Sequence, residues 1–138
     1  MTEPYWLSHV REYLHGANVE SYLKDHDIGH YELTVNGADR HGGVEWTYQS
    51  ESEHPRRYVR LSIIPDPSGA RGTLELIAGA SDGHRYATRR IALMQVETTA
   101  LDKELPQQWL YGAFHEAERI SLTERDAQFP DLVTQQHK

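Results

Sequence analysis

Cysteine is absent from the 138 residues, which removes disulfides, thiolate metal sites and cysteine nucleophiles together. Long apolar runs are absent too. No stretch approaches the ~18 residues of a membrane-spanning helix, and Met1-Thr2-Glu3-Pro4 offers neither the basic nor the apolar region of a secretory signal. A cytoplasmic location without a membrane partner is therefore expected. Glycine loops that cradle phosphate, G-x-G-x-x-G, G-x-S-x-G and H-E-x-x-H are all missing, so the standard nucleotide-binding and hydrolase classes lose support and no cofactor is expected. Positive charge is scarce: 14 Lys and Arg stand against 21 Asp and Glu, a net charge of −7 with histidine neutral. The basic footprint of a nonspecific duplex binder is therefore lacking, and nucleic acid is not the expected partner.

The length suits one domain, placed at residues 1–130, with a polar tail at 131–138 expected to fray. Apolar residues make up 38%, enough for a modest core. Charge is uneven. Residues 1–55 hold ten acids and three bases, 56–94 three and seven, and 95–138 eight and four, giving −7, +4 and −4. All seven bases of the middle segment are arginine, so the outer segments are expected to lie against it and neutralise it.

Trp6, Leu7, Val10, Tyr13 and Leu14 recur at helical spacing behind Thr2 and Pro4, up to an interruption at Gly16. Asn18 is expected to cap a second short helix carrying Val19, Tyr22 and Leu23. From His30 the period becomes two. Tyr31, Leu33 and Val35 alternate with polar residues, as do Val44, Trp46 and Tyr48, then Val59, Leu61 and Ile63, then Leu74, Leu76 and Ala78. A fifth strand, about residues 85–96, slips in its alternation near Arg89-Arg90, the mark of a bulge or of exposure. Turn chemistry fills the gaps at Asn36-Gly37 with Gly42-Gly43, at 50–55, at 65–69 and at Ser81-Asp82-Gly83. None is long enough for a crossover helix. A closing helix from about Pro106 to Arg125 carries Leu110, Ala113, Phe114, Ala117 and Ile120 on one stripe, with Trp109 also assigned to its core side, and Phe129-Pro130 ends it. The fold class is α+β: a five-stranded antiparallel meander in the order α(α)βββββα, with terminal helices on one face. Leu33, Trp46, Leu61 and Leu76 are expected to face the helices. Glu45, Thr47, Gln49, Tyr58, Arg60 and Ser62 are expected to face away.

Histidine is the plentiful titratable residue, with nine copies. His26 and His30 form an H-x₃-H pair flanked by Asp25 and Asp27, but Gly29 and the strand onset spoil the helical geometry that would make such a pair a ligand set. The meander gathers His26, His30, His54 and His84 with Asp25, Asp27, Glu51, Glu53 and Asp82 at one pole. Strands lie about 4.8 Å apart, which sets His84 roughly 19 Å from His30 across a flat sheet. No metal is expected, and His26, His30 and His54 are the side chains that would serve if one bound. In the closing helix, His115 with Glu118 and Arg119 suggests a base with an orienting group, yet no nucleophile accompanies them.

Eight tyrosines and three tryptophans outnumber two phenylalanines, a bias toward rings that suit interfaces. Tyr31, Trp46, Tyr48 and Trp6 have core parity, whereas Tyr58 and Tyr86 do not. With Arg60 and Glu45 they make the candidate binding residues. The leading expectation is a noncatalytic protein-binding module, as an inhibitor, immunity factor or chaperone would be. The alternative is a small enzyme or ligand binder with a pocket between the sheet and the closing helix, using histidines. The third is a single-strand nucleic-acid platform of arginines with Tyr58 and Tyr86, which cross-strand pairing of Glu45, Arg60 and Glu75 would neutralise.

Overall fold

Five consecutive segments of two-residue apolar period pair in chain order. In the computed structural model, which describes residues 5–40, 43–52 and 55–122, β1 (Tyr31–Arg40), β2 (Gly43–Ser50), β3 (Arg56–Pro65), β4 (Arg71–Ser81) and β5 (Tyr86–Glu97) form one antiparallel sheet in the order β1-β2-β3-β4-β5. Helices α1 (Tyr5–Ala17) and α2 (Val19–Asp25) precede it, and α3 (Leu101–Glu104) and α4 (Gln107–Arg119) follow. All four helices share one core with the sheet. Trp46, Leu61 and Leu76 supply its floor and Val10, Leu105, Leu110 and Phe114 its roof, each at most 1% exposed. The expected meander and terminal helices are therefore present, with α3 added. Its four residues are too few to display a helical period. Among the described residues no helix is long and apolar enough to cross a membrane. The 131–138 tail and Phe129-Pro130 lie outside the described residues.

The departures from the sequence reading have local causes. Leu33 lies opposite Tyr48 on the helix side, as expected, yet is 37% exposed because β1 is an edge strand that has, among the described residues, a neighbour on one side only. A register shift between Leu33 and Val35 then sets Val35 opposite Thr47, on the face away from the helices. Asn36-Gly37 makes no hairpin turn. It is a second bulge inside β1, with Gly37 at φ 74 where a side chain would strain the backbone; pairing runs on to Arg40 opposite Gly43, and residues 41–42 lie outside the described residues. The slip expected near Arg89-Arg90 is real: Leu76 faces Ala92 but Ile77 faces Arg90, which leaves Ile91 as the extra residue.

Among the helices, α1 passes through Gly16 to Ala17. Asn18 stands at the α2 N-cap in a left-handed conformation, φ 47, with no side-chain cap, and so acts as the hinge between two helices. Trp109 is 47% exposed, because it precedes Leu110 by one residue, about 100° around the helix from the buried stripe. Helix α4 stops at Arg119, since Arg57 Nη1 donates to the carbonyls of Ala117 and Ile120 (2.8 Å for the latter) and Ile120 is extended. The expected end at Arg125 lies outside the described residues.

Candidate binding surface

Residues out of phase with the core present the other face of the sheet. Across β2 to β5 they form three rows: Gln49, Tyr58, Gly79 and Thr88; Thr47, Arg60, Ile77 and Arg90; Glu45, Ser62, Glu75 and Leu93. The expected set of Glu45, Thr47, Gln49, Tyr58, Arg60 and Ser62 therefore does share the face away from the helices. It is not uniformly wet. Glu45 is 8% and Thr47 3% exposed, with Arg60 opposite Thr47 and lying against Glu45.

Tyr58 has the largest side chain of the set. A Cβ built on Gly79 would lie 2.3 Å from Tyr58 Cζ, so the ring lies directly on the Gly79 backbone. Loss of water pushes its phenol above the ordinary value, against the opposing pull of Arg60. The Arg60 guanidinium sits 5.4 Å from the ring centre, and its Nε is 3.5 Å from Glu45 Oε2. Glu45 Oε2 also accepts from Thr47 Oγ1 at 3.0 Å. Beside this group opens a shallow basin of about 610 Å³, lined chiefly by Gln49, Arg56, Tyr58, Arg60, Asp82 and Tyr86. Tyr58, Arg60 and Tyr86 thus meet in one basin, while Glu45 sits behind it and holds Arg60. Gly79 is the residue that sequence reasoning missed. A glycine inside Leu76-Ile77-Ala78-Gly79-Ala80 was the available sign, since a strand-interior glycine marks a close approach.

One wall of the basin is the β4–β5 turn. Asp82 Oδ1 accepts from the backbone N–H of His84 (2.9 Å) and Arg85 (2.8 Å). Those two amides, Arg85 first, lower its carboxyl to about 2. The folded value lies below the unfolded one, so the stabilisation exists above the ordinary carboxylate range and disappears as pH falls toward 2. Asp82→Ala should accordingly melt earlier than the parent at pH 6, with the gap closing by about pH 2; a gap independent of pH would mean that the turn does not depend on this carboxylate.

The histidines divide among separate settings. His26 stacks on Tyr22 at 3.9 Å, hydrogen-bonds the Tyr22 carbonyl through Nδ1 (2.9 Å), and lies 6.0 Å from His115 of α4. His30 Nε2 is 3.9 Å from Glu51 Oε1. His54, with Glu53, lies outside the described residues. Arg57 and Glu118 line both the crevice beside His30 and the basin beside His84, so these two histidines lie toward the same end of the sheet, while His26 packs against Tyr22 instead. Among the described residues no group of three or more His, Asp or Glu is placed to hold a metal ion.

The His115–Glu118 pairing fails. Glu118 accepts from Tyr31 OH at 2.6 Å, whereas His115 Nε2 meets Tyr22 OH at 2.7 Å. The two side chains serve different neighbours. Burial, then Glu118, pushes the Tyr31 phenol upward; burial alone takes Tyr48 to about 12. Compared with protein-family models, curated proteins and solved structures, the chain has no match.

Proposed function

We propose that this chain is a noncatalytic cytoplasmic protein-binding module that recognises another protein, as an inhibitor, immunity factor or chaperone does, through the sheet face away from the helices. One observation carries the reading. On that face aromatic and aliphatic side chains interleave with arginines already matched by carboxylates: Tyr58, Ile77 and Tyr86 are half-buried, Ile64 and Leu93 are 50% and 52% exposed, Arg60 meets Glu45, and Arg90 Nε meets Glu75 Oε2 at 3.0 Å. Apolar and aromatic area with its charge internally matched suits a protein surface. A phosphodiester strand calls for cations to spare and uncovered rings, and Tyr58 already has Gly79 beneath it and Arg60 beside it. The alternative of a pocket between sheet and closing helix is disfavoured by Trp46, Leu110 and Phe114, which fill that space at 0% exposure.

A photocrosslinking residue at Tyr86 should capture a protein in the native host that the same residue at exposed Glu20 does not. Titrated with that protein, Tyr58→Ala and Tyr86→Ala should each bind at least about tenfold more weakly, the loss expected of a buried tyrosine in an interface. Equal affinity of both variants and the parent would reject this face. A crosslink to nucleic acid, with affinity falling steeply as salt rises, would install the single-strand reading instead.

A further inference from the structure

Among the described residues strand β5 is an edge, and its backbone directions are fixed by three contacts. Thr98 N donates to Ala70 O (3.1 Å), toward β4. Arg71, opposite Glu97, turns its carbonyl the other way, to Asp66 N at 2.8 Å on the β3 side. Glu97 N meets the Glu104 carboxylate of α3. Glu97 therefore points its backbone out of the sheet, and by the two-residue period so do Leu93 and Gln95, with no register shift between them. The Glu104 carboxylate takes the place that a neighbouring strand's carbonyl would take, and so closes one end of the edge. Upstream, α4 runs beside the strand, with Glu116 reaching Arg89 at 2.7 Å. Between them lies a groove of about 480 Å³ whose floor is Ile91, Trp109 and Gly112. A Cβ on Gly112 would meet nothing within 4 Å. Arg119, with a side chain 69% exposed, stands at the rim and shares the Glu116 carboxylate with Arg89, its Nη1 lying 3.1 Å from Glu116 Oε1.

We propose that this edge and groove accept an extended peptide segment of a partner protein by strand addition, with its backbone on Leu93 and Gln95. Alternate side chains enter the groove: an apolar one against Trp109 and Ile91, and an acidic one toward Arg119. The occupant is a strand because an outward ladder of N–H and C=O groups is satisfied by another extended backbone. The groove supplies the side-chain selection, since it opens between α4 and β5 at Ile91, on the helix side of that edge. The surface is distinct from the Tyr58 basin, and the inference stands without the reading of that basin.

The probe is a displayed library of random linear dodecapeptides selected on the full chain. Enriched sequences should alternate apolar and other residues and include an acid. N-methylation of an enriched peptide at every second residue should abolish binding in one phase and leave it nearly intact in the other, because one phase alone faces β5. Gln95→Pro removes an outward donor and spares the backbone ladder to β4, losing there only the side-chain bond from Gln95 Nε2 to Thr73 Oγ1, and should weaken binding by about tenfold or more, whereas Gln95→Ala, which loses that side-chain bond alone, should not. Trp109→Ala should do the same, while Glu20→Ala, at an exposed position of α2, should have no effect. Amides of residues 93 and 95 should gain protection from hydrogen exchange in the complex. Failure of the library to enrich any peptide, or binding insensitive to the N-methyl phase, would overturn the proposal. So would concentration-dependent dimerisation of the chain that Gln95→Pro abolishes, which would assign the edge to a second copy.

Discussion

Trp46→Ala should lower the unfolding free energy by about 3–5 kcal/mol, the range for emptying an aromatic site in a packed core. Trp46 lies midway along the second strand, opposite Leu61 and Asn36, and is 0% exposed. Its Cζ2 is 3.9 Å from where a Gly37 side chain would begin, so the indole fills the space beneath the bulge in β1. Little backbone freedom remains there to close the cavity. Against a stability of about 5–15 kcal/mol the loss is large. Trp46→Phe separates volume from polarity. The indole Nε1 is buried and meets no hydrogen-bond partner among the described residues, and a donor desolvated without a partner is a cost to the folded state. Phenylalanine removes that donor while keeping most of the ring, so its cost should be about 1 kcal/mol. Urea unfolding of the three proteins reads both values. A loss below about 1 kcal/mol for the alanine variant would mean that the core closes without this side chain.

The core was legible because burial imposes a period. Trp46, Leu61 and Leu76 each sit in a run whose apolar residues recur every second position, and Leu110, Ala113, Phe114 and Ala117 repeat at three and four, so parity alone assigned them. Failures came where one residue changes the phase. Leu33 to Val35 looks regular in sequence, yet the bulge at Thr34 sends Val35 to the other face. Asn36-Gly37 carries the chemistry of a hairpin turn, and a left-handed glycine inside a bulge uses the same chemistry. Parity also brought Tyr58, Arg60 and Glu45 to one face. It could not tell that Glu45 would be covered, because that depends on Arg60 reaching across the face to it. The pairings of His26 and Glu118 were illegible for a related reason. Both depend on where α2 and α4 dock, and docking is decided by tertiary packing that no local period encodes.

The covered carboxylate changes what a substitution at Arg60 means. On a wet sheet face Arg60→Glu would be nearly neutral, within about 0.5 kcal/mol. Here Arg60 Nε lies 3.5 Å from a Glu45 side chain that is 11% exposed, and Nε is itself buried without a hydrogen bond. The attraction is thus Coulombic rather than a bidentate hydrogen-bonded pair, and deleting it by Arg60→Met should cost only about 1 kcal/mol. Reversing the charge adds repulsion between two carboxylates in a poorly solvated setting. With opposing charges about 4 Å apart near a protein surface worth up to about 4 kcal/mol, Arg60→Glu should cost about 3 kcal/mol in all. That excess should shrink in high salt, though less than for an exposed pair. Glu45→Gln in the same chain should recover most of it, because the repulsion then has one member. If unfolding curves give Arg60→Glu and Arg60→Met the same stability, Arg60 does not lie against Glu45 in solution. The binding surface is coupled to this result. A partner lost on Arg60→Glu alone reports a disturbed face, whereas a partner lost on Arg60→Glu in the Glu45→Gln background, with the fold intact, reports a contact made by the guanidinium.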